Sequence, residues 1–168
     1  MTGALRIAAE AYDGPGGAAL VPRVQQEYVR RYGGPDETPV DPAEFADPRG
    51  RFLVAYLDRE PVGCGGIRLL ADGVAEIKRM YVEPAVRGRG VARALLAVLE
   101  DAARETGCRE IRLETGSLQP EAMALYASSG YSLIPPYGYY RCAPESRCFA
   151  KTLVVPATAV EPGAASWT

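Results

Sequence analysis

The sequence predicts a mixed α/β fold, with one sheet and helices on its faces. Short β-type patterns cluster on either side of one strongly helical run, Val91 to Glu105, and a glycine-rich turn leads from a strand into that run. Because the strands lie on either side of one crossover helix along the chain, we expect them to form one sheet whose faces the helices cover. The 168 residues, 48% of them hydrophobic and 24% charged, are enough for one globular domain with a sizeable core.

The N-terminal part predicts a strand, a helix and a loop. A strand is expected over residues 5–11, and a helix begins at Pro15 to Gly17, keeps its apolar residues on one face and ends near Gly33-Gly34. Residues 35–51 are rich in Pro, Asp and Glu and predict a loop with one helical turn at 42–45. Such a loop is free to line a substrate pocket.

The middle of the chain predicts an antiparallel meander followed by the strongest helix. Its three strands are expected over residues 52–57, 61–70 and 74–82, with a tight turn at Asp72-Gly73. The elements expected after them are a helix over 91–105, a strand over 110–115, a helix over 121–129, and strands over 131–134 and 147–155. We expect a single domain over residues 1–155 and a flexible tail over 156–168, where Pro, Ala, Gly and Ser dominate.

Composition excludes several classes of function. A net charge of −2 with pI near 5.3 lacks the excess of positive charge that nucleic-acid binding favours. The start of the chain has no basic segment leading into an apolar one, and no apolar run approaches 18 residues, so we expect a cytoplasmic protein without membrane association. His is absent and the four cysteines form no C-x-x-C pair, which favours buried thiols over a metal site and excludes Ser-His and Cys-His nucleophiles. Whether Cys142 and Cys148 meet across a terminal hairpin stays open.

The turn before the long helix has the features of a phosphate site. A strand stops at Pro84, and the chain then turns through Gly88 and Gly90 into the helix, whose first free N–H groups and positive dipole end converge there. Arg87 and Arg89 add positive charge. Walker A and Rossmann signatures do not fit. A turn serving geometry alone, or a module for another nucleotide, remain as alternatives.

Two motifs resemble the GNAT superfamily of N-acetyltransferases. Arg87-x-x-Gly90-x-Ala92 resembles its Q/R-x-x-G-x-G/A signature, and the preceding Glu-Ile-Lys-Arg-Met-Tyr-Val run looks like the fourth strand of that family. The segment from Gln119 to Tyr131 is similar to N-x-x-A-x-x-L-Y-x-x-x-G-F, with Gln where many members have Asn. The resemblance implies a mainly antiparallel central sheet of six to seven strands, with helices on both faces and fourth and fifth strands that splay apart at a bulge.

The same resemblance implies direct transfer of the acetyl group of acetyl-CoA to a primary amine, without a metal. Backbone groups of Met80, Tyr81 and Val82 would contact the pantetheine arm and stabilise the developing oxyanion. Gln119 would contact the same arm. The pyrophosphate would rest on the turn, whose residues are Arg87, Gly88, Arg89, Gly90, Val91 and Ala92.

Three side chains are candidates for proton transfer. Tyr126 matches the general acid of the family by position, with a purely structural core tyrosine as its alternative. Glu76 precedes Arg87 at the same spacing as the catalytic glutamate of histone acetyltransferase members, which implies the role of base. The alternative role for Glu76 is a structural ion pair with Lys78 or Arg68. Glu114 is the second candidate base, although Arg112 and Arg109 would equally make it part of a solvated charge pattern.

The acceptor is the least determined part of the prediction. The stiff, aromatic segment Pro135 to Tyr140 is suited to wall a small pocket, which favours a small-molecule amine or an amino-acid-like acceptor. A non-catalytic acyl-CoA sensor is the alternative function. Exposed sheet edges are compatible with a homodimer.

Overall fold

The computed structural model describes residues 3–154. The strands in this range are β1 (Leu5–Glu10), β2 (Gly50–Leu57), β3 (Glu60–Ala71), β4 (Val74–Val82), β5 (Glu110–Gly116), β6 (Ser132–Ile134) and β7 (Ser146–Thr152). The helices are α1 (Pro15–Tyr32), α2 (Val91–Glu105) and α3 (Pro120–Ser128), with 3₁₀ turns at Pro42–Phe45 and Pro84–Val86. The predicted domain end at residue 155 and the predicted tail at 156–168 lie outside the described residues.

The seven strands form one sheet in the order β1-β2-β3-β4-β5-β7-β6. Every neighbouring pair is antiparallel except β4 and β5, which are parallel and are connected by the crossover helix α2. Helix α1 packs against β3 and β4 on one face, and α2 packs on the other. The structure therefore confirms a mixed, mainly antiparallel sheet with helices on both faces.

Strand ends are set by their partners. Strand β2 begins at Gly50, two residues earlier than predicted, because Gly50 pairs with Arg68 of β3. Strand β7 ends at Thr152, three residues earlier than predicted, because Thr152 pairs with Glu110, where β5 begins. The predicted helical turn at 42–45, which is a 3₁₀ turn in the structure, and α2 have the expected bounds.

Both faces of the sheet are buried near its centre. Alternation along β2 sends Leu53 and Ala55 toward α2, and Phe52 and Val54 toward α1. The largest fully buried side chains come from both clusters and include Leu20, Val24, Phe45, Ile67, Leu95, Leu99, Ile111 and Leu113. This double core fixes β2, β3 and β4 as a rigid support for the residues that follow.

Strands β4 and β5 separate halfway along their length. They pair only from Val74 opposite Glu110 to Ile77 opposite Leu113. Beyond Ile77, β4 bulges: Arg79 and Met80 together face the single residue Gly65 of β3, and Arg79 has a left-handed φ of 59°. The predicted splay is thus confirmed, and it opens a wedge inside the sheet.

Candidate active site

A cavity of about 370 Å³ fills the wedge between β4 and β5. Its walls are the diverging strand ends, the turn into α2, and residues of α1 and α3. The residues predicted for cofactor binding or proton transfer that line it are Met80, Tyr81, Val82, Arg87, Gly88, Gly90, Val91, Ala92, Glu114, Gln119 and Tyr126. Arg89 and Glu76 are not among the lining residues.

The turn into α2 presents backbone donors to this cavity. Gly88 and Gly90 have φ of 76° and 83°, and a Cβ on either would meet no atom within 4 Å, so the space over the turn is open. Within residues 3–154, no hydrogen bond engages the N–H groups from Gly88 through Arg93. Unsatisfied N–H groups at a helix N-terminus attract an anion.

The arginines around the turn differ in their roles. Arg87 donates to the Val82 carbonyl at 2.8 Å and to Glu27 at 2.7 Å, so its charge is already paired and its guanidinium braces the turn. Arg89 is exposed. Arg93 donates to Ser128 Oγ at 2.7 Å, which attaches the start of α2 to α3. The backbone amides, rather than the paired guanidinium of Arg87, are therefore the unengaged donors of the turn.

Tyr126 of α3 lies where the aromatic core meets the cavity. It is 5% exposed, and its ring packs against Tyr131 and Phe149 at centroid distances of 5.7 and 6.0 Å. Burial raises the pKa of Tyr126, so the hydroxyl keeps its proton at neutral pH. No partner within the described chain forms a hydrogen bond with that hydroxyl, which leaves it available to a ligand in the cavity.

Glu76 is held away from the cavity. It is 5% exposed and lies opposite Arg68 of β3, whose Nε and Nη2 are both 3.1 Å from its Oε1. The Tyr137 hydroxyl donates to its Oε2 at 2.9 Å. Both carboxylate oxygens are therefore engaged, and the pairing with Arg68 that the sequence offered as the alternative is the one in the structure.

Glu114 of β5 has the surroundings of a base. It lines the cavity, and burial raises its pKa more than the positive charge of Lys78 lowers it. Its Oε2 accepts from Ser146 Oγ at 3.4 Å, and Cys148 Sγ lies 3.8 Å away. Arg112, the expected partner, instead bonds Glu110. Within residues 3–154, no cationic side chain lies within 4 Å of the Glu114 carboxylate.

A buried ion cluster borders the same point. Asp36 pairs with Arg79 and lies 3.4 Å from the Lys78 Nζ, and its side chain is 11% exposed. Burial alone would raise the pKa of Asp36, but Lys78 and Arg79 outweigh it and hold that pKa well below its ordinary value. The cluster ties the loop after α1 to the bulge of β4.

A second cavity of about 560 Å³ continues from the first. The two share six lining residues, Tyr28, Asp36, Lys78, Glu114, Thr115 and Gln119. Tyr140 lines the second cavity and accepts a hydrogen bond from the Glu37 N–H at 2.6 Å. The segment from Pro135 to Tyr140 therefore contributes a wall through Tyr140, whereas Tyr139 is 51% exposed. The first cavity thus leads from the turn into α2 to Glu114, and the second cavity continues from there.

Comparison with known proteins identifies this architecture. Residues 21–131 match the acetyltransferase (GNAT) family. The chain belongs to the GNAT family. It is 40% identical over 115 residues to an IAA acetyltransferase of Azospirillum brasilense, a match that covers 68% of this chain and 75% of that protein. It is therefore an acyltransferase of the N-acetyltransferase type.

Solved structures of GNAT proteins share the fold of this acetyltransferase. A proposed acyl-CoA N-acyltransferase of Klebsiella pneumoniae is 32% identical with a TM-score of 0.74, and the match covers 89% of this chain and 98% of that one. The PaiA N-acetyltransferase of Thermoplasma acidophilum, solved in complex with coenzyme A, has a TM-score of 0.66 at 14% identity, with coverage of 89% and 99%. The second likeness is one of fold alone.

The first cavity of the acetyltransferase is also lined by residues that the sequence analysis did not assign to the site. Among them are Glu27, Tyr28, Asp36, Lys78, Arg79 and Thr115, whose positions depend on contacts between distant parts of the chain. Three cysteines are buried, whereas Cys142 is exposed, contrary to the expectation of buried thiols throughout. Among the described residues, no helix is long and apolar enough to cross a membrane, and no group of three or more Cys, Asp or Glu could hold a metal ion.

Proposed function

We propose that this acetyltransferase transfers the acetyl group of acetyl-CoA directly to the primary amine of a small acceptor. The observation that carries the proposal is the continuous cavity, which has free backbone donors at one end and the half-buried carboxylate of Glu114 where it meets a second pocket. The coenzyme A complex of a protein with the same fold supports the choice of cofactor.

Acetyl-CoA would lie along the wedge. Its pyrophosphate accepts hydrogen bonds from the N–H groups of the turn from Gly88 into α2. The pantetheine arm runs beside the backbone of Met80, Tyr81 and Val82. Gln119, whose Oε1 already accepts from the Tyr32 hydroxyl at 3.2 Å, offers its amide N–H groups to the same arm. The thioester carbonyl then lies at the bulge of β4.

Proton removal from the acceptor is assigned to Glu114 in place of Glu76. An alkyl ammonium has a pKa of about 10 and must lose a proton before it attacks. Glu114 faces the junction of the two cavities, and its raised pKa brings it closer to the pH at which a base is most effective. Glu76 is already committed to Arg68 and Tyr137.

The acyl transfer follows from these positions. The free amine attacks the carbonyl carbon, a C–N bond forms, and backbone donors at the bulge stabilise the oxyanion. As the adduct collapses, the C–S bond breaks and the nitrogen loses its second proton. The Tyr126 hydroxyl gives a proton to the leaving sulfur and regains one from the solvent that accepts the nitrogen proton. The products are the acetamide and the coenzyme A thiol.

Thermal unfolding with acetyl-CoA tests the cofactor site. A ligand at about 100 times its Kd stabilises the folded state by about 2.7 kcal/mol, which we expect to see as a raised melting temperature with acetyl-CoA and not with NAD or ATP. Gly90→Glu should abolish this shift, because its side chain enters the phosphate space.

Gly73→Glu is the matched control for that variant. Gly73 also has a left-handed φ, 70°, and open space around its Cα, but it lies in the turn between β3 and β4. The control therefore carries the same backbone strain and the same added charge, and should keep the acetyl-CoA shift. An unchanged shift in Gly90→Glu, or none in the wild type, would contradict the proposal.

Tyr126→Phe should lower kcat by roughly 10- to 100-fold, the value of one hydrogen bond to a developing charge. The acetyl-CoA melting shift should remain, because the ring still fills the same space. Release of coenzyme A thiol in steady state measures the effect. Tyr131→Phe is the control, since its hydroxyl donates to Glu100 at 3.0 Å in the core and has no proposed role. Equal losses in both variants would assign Tyr126 to packing only.

A further inference from the structure

Lys78 is an under-bonded cation at the junction of the two cavities. Its side chain is 7% exposed and lines both cavities. Its ammonium carries three hydrogen-bond donors, yet within residues 3–154 the nearest carboxylate oxygen is Asp36 Oδ2 at 3.4 Å and no hydrogen bond is formed. Asp36 is already paired with Arg79 and accepts from the Thr38 N–H at 2.9 Å. A buried ammonium in this state favours an anionic ligand group.

Glu114 supplies the opposite charge at the same junction. Both side chains line both cavities, and the positive charge of Lys78 lowers the pKa of Glu114 against the effect of burial. One site therefore offers a carboxylate to a ligand ammonium and an ammonium to a ligand carboxylate. The smallest group that satisfies both is the α-amino acid, in which the two charges are separated by a single carbon.

The second cavity is suited to the side chain of such an acceptor. Tyr28, Tyr32 and Tyr140 line it, and Glu37 and Glu145 stand exposed at its rim. Neither rim carboxylate forms an ion pair within the described chain. Arg31, which also lines the second cavity, donates to the Leu118 carbonyl and pairs with Glu121. Aromatic faces and unpaired carboxylates favour a cationic side chain.

We propose that the acceptor is an α-amino acid, with its amine at Glu114 and its α-carboxylate bound by Lys78. The proposal rests on the proposed N-acetyltransferase function and identifies its substrate class. Lys78 determines specificity and takes no part in bond making. It recognises the carboxylate and thereby brings the amine beside Glu114.

Three probes of the same length test the carboxylate requirement. L-arginine, L-argininamide and agmatine each carry one reactive primary amine and a guanidinium, but they bear a carboxylate, an amide and hydrogen, respectively, on the same carbon. We expect thiol release with kcat/KM at least about tenfold higher for L-arginine than for either analogue, the value of one charged hydrogen bond. The amide has the less basic amine, so intrinsic reactivity would favour the opposite order.

Variants of Lys78 assign the preference to this residue. In Lys78→Met the ratio of kcat/KM for L-arginine to kcat/KM for argininamide should fall at least about tenfold, so the preference is lost. Because the loss of Lys78 also acts on the pKa of Glu114, which serves both acceptors, the ratio and not either rate alone is the readout. Lys78→Arg keeps the charge and should restore much of it. Lys151→Met is the matched control, because Lys151 bonds Glu100 on the α2 face at 3.0 Å and should leave the preference unaltered.

The outcomes separate this proposal from the one on which it rests. Equal rates with L-arginine and argininamide, a higher rate with agmatine, or a preference that survives Lys78→Met would each overturn the α-amino acid assignment. If acetyl-CoA raises the melting temperature but none of the three probes releases thiol, the acceptor class is wrong and the cofactor site stands. If acetyl-CoA has no effect on melting, the proposed function fails first.

Discussion

Glu114→Gln should lower kcat/KM by roughly 10²- to 10⁴-fold, the usual contribution of a positioned general base. The amide keeps the size of the side chain and its bonding to Ser146, so acetyl-CoA should still raise the melting temperature. Burial raises the pKa of Glu114, and activity that needs its ionised form should fall as the pH drops through that raised pKa. The variant should lack this acidic limb. A pH profile of thiol release measures both effects.

Glu76→Gln is the comparison that decides between the two carboxylates. Because Glu76 is bonded to Arg68 and Tyr137, its amide variant should unfold at a lower temperature yet keep the acidic limb of the pH profile. Loss of the limb in Glu76→Gln, with retention in Glu114→Gln, would return the catalytic role to Glu76.

Asp36→Asn should lower the free energy of unfolding by roughly 3–5 kcal/mol, because it leaves the buried charges of Lys78 and Arg79 without their carboxylate. Urea unfolding at pH 7 measures the loss. The pKa of Asp36 is lowered in the folded state, so its contribution is complete above the ordinary aspartate pKa of about 3.9. It is lost as the pH falls from there toward the folded-state pKa. The difference between wild type and variant should therefore shrink in acid.

Asp101→Asn provides the control for that measurement. Asp101 is 68% exposed and pairs with Arg104 one turn further along α2. Exposed pairs of this kind contribute about 0 to 1 kcal/mol. A loss in Asp36→Asn as small as that in Asp101→Asn would show that the ion cluster does not hold the loop to β4.

Local signals explain what the sequence could predict. The bounds of α2 follow from its apolar spacing, and the turn before it follows from Gly88 and Gly90, whose left-handed φ values few other residues adopt. The splay and the mainly antiparallel sheet are implied by the family resemblance and not by spacing. A further signal marks the bulge in the sequence, because Lys78 and Arg79 are consecutive charges in a strand whose residues are mostly buried.

The choice between Glu76 and Glu114 could not be made from spacing. Both are inward-facing carboxylates on neighbouring strands, and either had an arginine near it in the sequence. The register between β3 and β4 puts Arg68 opposite Glu76, whereas Arg112 turns to Glu110. Asp36 was missed for a related reason, since 43 residues separate it from Arg79 and only the folded chain brings them together.

The separation of β4 from β5 also changes the number of edges in the sheet. Only the ladder from Val74 to Ile77 joins β1–β4 to β5–β7, so beyond Ile77 each half has an inner edge that meets no strand across the gap in the described chain. Edge strands expose backbone groups that pair readily with another extended chain. Here those edges face the cavity inside the sheet and not its outer rim. The fold thus places two unpaired backbone edges along the cavity, where the amide groups of a ligand can form hydrogen bonds with them, and not at the outer edges through which sheets aggregate.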